Sequence, residues 1–286
     1  MKHAILFIVI LSLSMLGCKK KPDIHYILKN EKMAYKVDTV NTLPMFISSK
    51  GKSLPNLENF NGEMDIKVEI AGTLPTLIPI TKKHLITDLK LSGNLNGTDI
   101  KYIREMAGRD SLLQDTREPK TKGKLTKLNL KDVNIVPGGK YYYGKHCTEY
   151  NNVSEKMFFG LDNLTSIILP NNITHIGWFA FADCTGITSI TIPNSVTFID
   201  CMVFVGCEGL TSVYFGNSIA YVEDLFFAYC KSLKEVHIKN TIPPNIGKDN
   251  FNFRKAAKCK LYVPKGYSTI YKRAEGWNEF SEIIEE

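Results

Sequence analysis

Residues 164–186 read LTSIILPNNITHIGWFAFADCTG, and the two stretches that follow repeat the pattern as ITSITIPNSVTFIDCMVFVGCEG from Ile187 and LTSVYFGNSIAYVEDLFFAYCKS from Leu210. Leu164, Ile187, Leu210 and Leu233 open units spaced 23 residues apart. Phe181, Phe204 and Phe227 return in step, as do Cys184, Cys207 and Cys230, and Ile176, Ile199 and Val222. A fixed period of this length marks a solenoid, in which one supersecondary unit stacks on the next. Such stacks present long surfaces to partners more readily than they build clefts. Binding is therefore the expected function, ahead of catalysis.

Within a unit, Leu164, Ile167 and Leu169 alternate with polar or outward residues, the period of a short strand. Pro170, Asn171 and Asn172 suit a turn, because proline fixes φ and asparagine tolerates turn geometry. Ile173 and Ile176 predict a second short strand. Phe181 and Cys184 then fill the end of the rung. Residues one period apart should lie directly above one another.

The pattern reaches back toward the N-terminus. Leu125, Leu128 and Leu130 have the same spacing as Leu164, Ile167 and Leu169, but they precede them by 39 residues rather than 23. The surplus falls in GGKYYYGKHCTEYNN, which predicts an inserted loop over 138–152. Upstream, Met64, Ile66, Val68 and Ile70 alternate as a strand, and Thr73 is placed to cap a short helix. Ile86, Leu89 and Leu91 make a further strand stopped by Gly93. Thr98 is placed to cap a helix with Ile100, Ile103 and Met106 inward and Gly108 at its end. Downstream, Cys259 to Val263 reads as a strand, and Trp277, Phe280 and Ile284 recur at helical spacing. The expected fold class is β-rich α/β: a 23-residue-repeat solenoid with an αβ N-terminal cap and a short helical C-terminal cap.

Residues 1–17 carry Lys2, His3 and then an apolar run too short to span a bilayer, as a signal peptide does. Residues 18–62 read as a tether, 63–124 as the N-terminal cap, 125–258 as the repeat region and 259–286 as the C-terminal cap. Met15-Leu16-Gly17-Cys18 resembles a bacterial lipobox. That resemblance implies acylation of Cys18 and a membrane anchor rather than a span.

Charge is divided along the chain. Residues 19–150 hold 23 basic and 15 acidic side chains, whereas residues 151–286 hold 12 and 14. Between Leu164 and Cys230 there is no Lys or Arg, and five acids. Phosphate neutralisation needs clustered Lys and Arg, so the repeat surface is not a nucleic-acid interface. Cys184, Cys207 and Cys230 predict a column of packed free thiols. Cys147, Cys201 and Cys259 show no evident partner and no metal-ligand spacing, and neither a metal nor a cofactor is expected. No G-x-S-x-G, H-E-x-x-H or phosphate-cradling glycine loop occurs. No catalytic residue is expected, and the chain does not read as an enzyme.

The three repeats, with IAGTLPTL, LSGNLNGTDIKYIREMAG and LYVPKGYSTIYKRAEGW around them, resemble the BspA-type leucine-rich repeats of Bacteroidetes surface lipoproteins. The resemblance covers about residues 64–286. It implies a right-handed solenoid held at the outer membrane or cell surface, with adhesion or protein binding as its work. It implies no catalytic residues. Gly216 departs from it by replacing the turn proline, and Asp224 stands where Trp178 and Cys201 stand in the units before.

Function must sit on outward positions. The first-strand column is Ile168, Thr191, Tyr214 and His237; the second-strand column is His175, Phe198 and Tyr221, with Trp178 nearby. Exposed aromatics in a nearly uncharged field suit a protein partner or a glycan platform. Tyr141, Tyr142 and Tyr143 of the inserted loop form the second candidate. A protein ligand is the leading expectation. A glycan in an outer-membrane nutrient system, or a purely structural spacer, are the alternatives.

Overall fold

The computed structural model describes residues 60–109, 121–247 and 259–286. The signal segment, Cys18, nearly all of the tether, residues 110–120 of the N-terminal cap and residues 248–258 of the repeat region lie outside the described residues.

The chain opens with β1 (Glu63–Val68), two four-residue helices, α1 (Leu74–Leu77) and α2 (Ile80–Lys83), then β2 (Asp88–Leu95), α3 (Gly97–Met106) and β3 (Lys127–Ile135). A hairpin follows, β4 (Gly138–Tyr143) and β5 (His146–Thr148). From there each rung carries two short strands. The second strands are β6 (Asn152–Val153), β8 (His175–Ile176), β10 (Phe198–Ile199), β12 (Tyr221–Val222) and β14 (Asn245–Ile246). The first strands are β7 (Ser166–Ile168), β9 (Ser189–Thr191), β11 (Ser212–Phe215), β13 (Glu235–Ile238) and β15 (Lys260–Val263). The chain closes with α4 (Ser268–Tyr271), one 3-10 turn (Trp277–Glu279) and β16 (Glu282–Glu285).

Apart from the hairpin, every strand pair is parallel. One sheet runs β1-β2-β3-β7, another β9-β11-β13-β15-β16 and a third β6-β8-β10-β12-β14. Parallel neighbours need a long return connection, and here each first strand returns through its second strand and a turn-rich segment. Register follows the repeat: Tyr214 lies beside Thr191, and Phe198 lies between His175 and Tyr221. Ile190, Val213, Val236 and Leu261 point inward and are at most 2 % exposed. Their outward neighbours Ser189, Thr191 and Tyr214 meet solvent.

Phe158, Phe181, Phe204 and Phe227 form one vertical column with ring centroids 5.3, 5.3 and 6.3 Å apart and planes within 20° of parallel. Each offset pair contributes about 0.5–1.5 kcal/mol beyond its burial. Beside it, Cys184, Cys207 and Cys230 are buried free thiols. Each Sγ donates to a carbonyl of the preceding rung, Phe158, Phe181 and Phe204 respectively, at 3.0 Å. Cys201 and Cys259 are also free. Cys147 corrects the reading from spacing, because it is disulfide-bonded.

The return segments hold two left-handed positions per rung. Lys156, Phe179, Met202 and Leu225 have φ between 55° and 57°, and Gly160, Asp183, Gly206 and Tyr229 follow at 58° to 75°. Reversing the backbone there lets alternate N–H groups reach the next rung: Phe181 N–H donates to Val203 O at 3.0 Å, and Asp183 N–H to Val205 O at 2.9 Å.

The structure departs from expectation at both ends of the repeat region. Thr98 does not cap α3. Asn96 does, accepting from Thr98 N–H at 2.9 Å, while Asp99 Oδ2 accepts from Asn96 N–H at 2.9 Å. Asp99 also accepts from Gly72 N–H at 2.5 Å and Leu74 N–H at 2.9 Å, which ties the start of α1 to the start of α3. Thr73 makes no side-chain cap to α1; its hydroxyl donates to Ile70 O instead, at 2.7 Å. Gly93 does not stop β2, which passes through it with φ at 88°. A Cβ there would lie 2.3 Å from Val68 O, so only glycine lets β1 approach.

The 138–152 insert is a hairpin whose β4 packs on α3, not a free loop. At the C-terminus, Trp277 and Phe280 are buried as core, but Ile284 is not on their helix. It sits in β16, which adds a parallel strand beside β15. Glutamates occupy this last strand: Glu282 pairs with Lys260 at 3.0 Å, and Glu285 accepts from Ser268 N–H at 3.1 Å and Ser268 Oγ–H at 2.6 Å. Charged side chains on an edge strand discourage further strand addition.

Candidate functional site on the outward sheet faces

A period of two in a parallel strand sends alternate side chains outward, so each outward residue stacks on its counterpart one rung away. In the β9-β11-β13-β15-β16 sheet this brings Thr191, Tyr214 and His237 into one line, as their register pairs require. Ile168 belongs to the preceding sheet, beside Asn129, and is 47 % exposed. The line extends past His237 to Tyr262 and Ile284, two residues that the repeat reading missed. The signal was hidden because Glu235 pairs with Lys260, 25 residues on, after two extra residues enter the period.

Tyr214, His237 and Tyr262 form a three-ring stack. Centroids are 4.4 and 4.3 Å apart, with planes 18° and 6° from parallel. Tyr214 is 37 % exposed, so its outer face is open to a partner. His237 Nδ1 lies 3.0 Å from the Glu286 carboxylate, which orients the imidazole, and Nε2 lies 3.8 Å from Glu235. The stack is held from both sides and loses little side-chain freedom when covered.

The second-strand column is half-buried. His175 meets Phe198 edge-on at 5.3 Å, and Phe198 stacks on Tyr221 at 5.5 Å with planes 14° apart. Asn152 and Asn245 continue it above and below. Asp200 Oδ2 lies 3.1 Å from His175 Nε2 and accepts from Trp178 N–H at 3.1 Å. Trp178 is 39 % exposed. It packs against Phe179 at 4.4 Å, with Lys156 Nζ 5.0 Å from its ring.

The tyrosine insert is corrected. Tyr142 is fully buried and its hydroxyl donates to Glu155 O at 2.5 Å. Tyr143 is also buried, packed on Phe159 at 5.4 Å and under the Arg104 guanidinium at 5.0 Å. Tyr141 is half-buried. These rings cement the hairpin to α3 and the first rung, and Tyr142 and Tyr143 are not presented to a partner. Arg104 completes the joint: it is fully buried and donates to Met157 O at 3.3 Å and Phe159 O at 3.0 Å.

Among the described residues no group of three His, Cys, Asp or Glu side chains is placed to hold a metal ion, and no helix is long and apolar enough to cross a membrane.

Residues 151–274 match the model of the BspA type leucine rich repeat region, in six copies. No curated protein matches the chain. Among solved structures it is similar to a leucine-rich repeat protein of T. pallidum (TpLRR), at 25 % identity and a TM-score of 0.38, covering 46 % of this chain and 62 % of that one. It is similar to a leucine-rich repeat protein of Bacteroides ovatus at 21 % identity and a TM-score of 0.35, covering 69 % and 42 %. It is also similar to the pneumococcal vaccine antigen PcpA at 18 % identity and a TM-score of 0.34, covering 71 % and 63 %. The chain thus spans less than two thirds of each of these structures. Leucine-rich repeats form a fold class of binding rather than catalysis, and they commonly mediate protein interactions. On the family match and the parallel rungs together, residues 151–274 are a leucine-rich-repeat region.

Proposed function

We propose that this chain is a surface-displayed lipoprotein whose rungs wind as a right-handed solenoid and bind another protein through their outward columns. The observation that carries the reading is the Tyr214–His237–Tyr262 stack, a ladder of face-to-face rings on a parallel sheet. Aromatic rings are what protein interfaces enrich at their centre, and Glu235, Lys260 and Glu282 in the neighbouring outward row supply the polar rim. The Phe198–Tyr221 pair supplies a second strip of the same kind. The anchor rests on Met15-Leu16-Gly17-Cys18, a resemblance in sequence alone.

The test is capture of extracellular-matrix and cell-envelope proteins by the full chain. A partner should be retained by the wild type and weakened about tenfold or more by Tyr214→Ala combined with Phe198→Ala, since two central aromatics carry hot-spot energies. Capture of nothing, or a partner indifferent to both substitutions, contradicts it. Metabolic acyl labelling that disappears in Cys18→Ala supports the anchor, a Cys18 sulfur held in a disulfide instead contradicts it, and protease shaving of intact cells assigns the compartment.

A further inference from the structure

At the C-terminal ends of the first strands lies an open-sided groove of about 520 Å³. Its position follows from a departure in the repeat. Pro170 and Pro193 occupy the turn after the first strand in two rungs, and Gly216 stands there in the third. Gly216 packs so close to the rung before it that an added Cβ would fall 2.7 Å from Asn194 Cα and 2.8 Å from Pro193 O. The turn that carries a proline ring in those two rungs carries no side chain here, and Tyr214 borders the space.

The chemistry of the lining is selective. Asn171, Asn194 and Thr191 are exposed, neutral hydrogen-bonding side chains, and Tyr214 offers a ring. Lys239 supplies the groove's cation and no carboxylate lines it. Its ammonium makes no ion pair or hydrogen bond among the described residues. Amides and a hydroxyl pair with vicinal hydroxyl groups, an aromatic ring accepts the C–H face of a pyranose, and an uncompensated ammonium seeks one anionic group. The volume suits a small ligand rather than a folded partner. A peptide would need either a free strand edge or a deep apolar anchor pocket, and the lining offers neither.

We propose that this groove is a saccharide subsite selective for a sugar residue bearing one carboxylate, with Tyr214 under the ring, Asn171 and Asn194 on the hydroxyls and Lys239 on the carboxylate. The subsite goes beyond protein capture and shares only Tyr214, and Thr191 at its margin, with the columns described above.

The experiment is an NMR titration of the full chain that follows the backbone amides of Thr191, Ile192 and Asn194. Three probes are compared: a glucuronate-containing disaccharide, the same disaccharide with its carboxylate reduced to the alcohol, and acetate. The acidic disaccharide should bind about fivefold more tightly than the reduced one, the worth of one exposed ion pair. Lys239→Met should erase that preference while leaving the reduced sugar's affinity unchanged. Tyr214→Ala should weaken both sugars about three- to tenfold, the worth of one ring contact. No shift with either sugar at millimolar concentration overturns the proposal. So does acetate moving the same amides as strongly as the disaccharide, or a preference that survives Lys239→Met. Lys239 lies outside the protein-binding columns, so Lys239→Met should leave protein capture intact, and either reading can fail without the other.

Discussion

Cys207 donates its thiol hydrogen to the carbonyl oxygen of Phe181, 26 residues earlier, at 3.0 Å. The same carbonyl accepts the Cys184 N–H at 3.2 Å within its own rung. One oxygen thus closes a turn and bonds the next rung to it. Cysteine suits the position because a thiol is small, apolar and still a weak donor.

Cys207→Ala is therefore expected to destabilise the fold by about 1–2 kcal/mol, combining a small cavity with one lost weak bond. Urea unfolding checks this. The midpoint should fall with the slope unchanged, because the surface exposed on unfolding stays the same.

The thiol column also predicts an alkaline weakness. Burial pushes Cys184 and Cys230 up to about 12, and it pushes Cys207 well above its usual value, with the neighbouring sulfurs adding to the rise. Unfolded cysteine ionises near 8.5. Between that pH and about 12 the unfolded chain has lost protons that the folded chain keeps, so stability must fall as pH rises. Each such thiol contributes a slope of about 1.4 kcal/mol per pH unit in that window. Melting curves from pH 8 to 10 should show the decline, and Cys207→Ala should make it shallower. In the folded protein the column should resist thiol reagents that react after denaturation, since the thiolate is the nucleophile.

Backbone strain gives a stabilising prediction. Tyr229 holds φ at 62° while its side chain is 70 % exposed. Relief of the left-handed penalty, about 1–2 kcal/mol, outweighs the entropy that glycine adds to the unfolded chain, about 0.5–1 kcal/mol. Tyr229→Gly should therefore raise stability by up to about 1 kcal/mol, about 2–4 °C in Tm for a chain of this size. The reverse holds at Gly206, with φ at 75° and Asp183 Oδ1 2.2 Å from an added Cβ: Gly206→Ala should lower Tm.

The phenylalanine column carries the largest expected loss. Phe204 is 1 % exposed and stacks between Phe181 and Phe227 while meeting Phe226 edge-on at 5.1 Å. Phe204→Ala should cost about 3–5 kcal/mol. Phe198→Ala, on the half-buried outward column, should cost clearly less. Paired denaturation curves give the ordering.

These columns were legible because burial repeats residue type: leucine or isoleucine, phenylalanine and cysteine return at one spacing. The left-handed ladder was not. Lys156, Phe179, Met202 and Leu225 share a backbone angle but no side-chain chemistry. Trp277, Phe280 and Ile284 show a separation of three and four residues, which a helix explains and which a 3-10 turn followed by a strand satisfies equally well. At α3 both Asn96 and Thr98 are good capping residues, and Asp99 decides between them by completing the reciprocal pair with Asn96. The tyrosine run misled because tyrosine serves a core as readily as an interface when its hydroxyl finds a partner, as Tyr142 does at Glu155 O. Tyr262 escaped notice because its strand is offset by two residues from the period.

Every surface assignment depends on residues one period apart lying side by side in parallel strands. Methyl–methyl NOE spectroscopy tests this most directly. The register predicts cross-peaks linking Ile176 to Ile199, Ile199 to Val222, and Ile190 to Val213. Their absence, with cross-peaks linking Ile190 to the Thr211 methyl instead, would place the strands out of step and contradict the columns on which the binding faces are built.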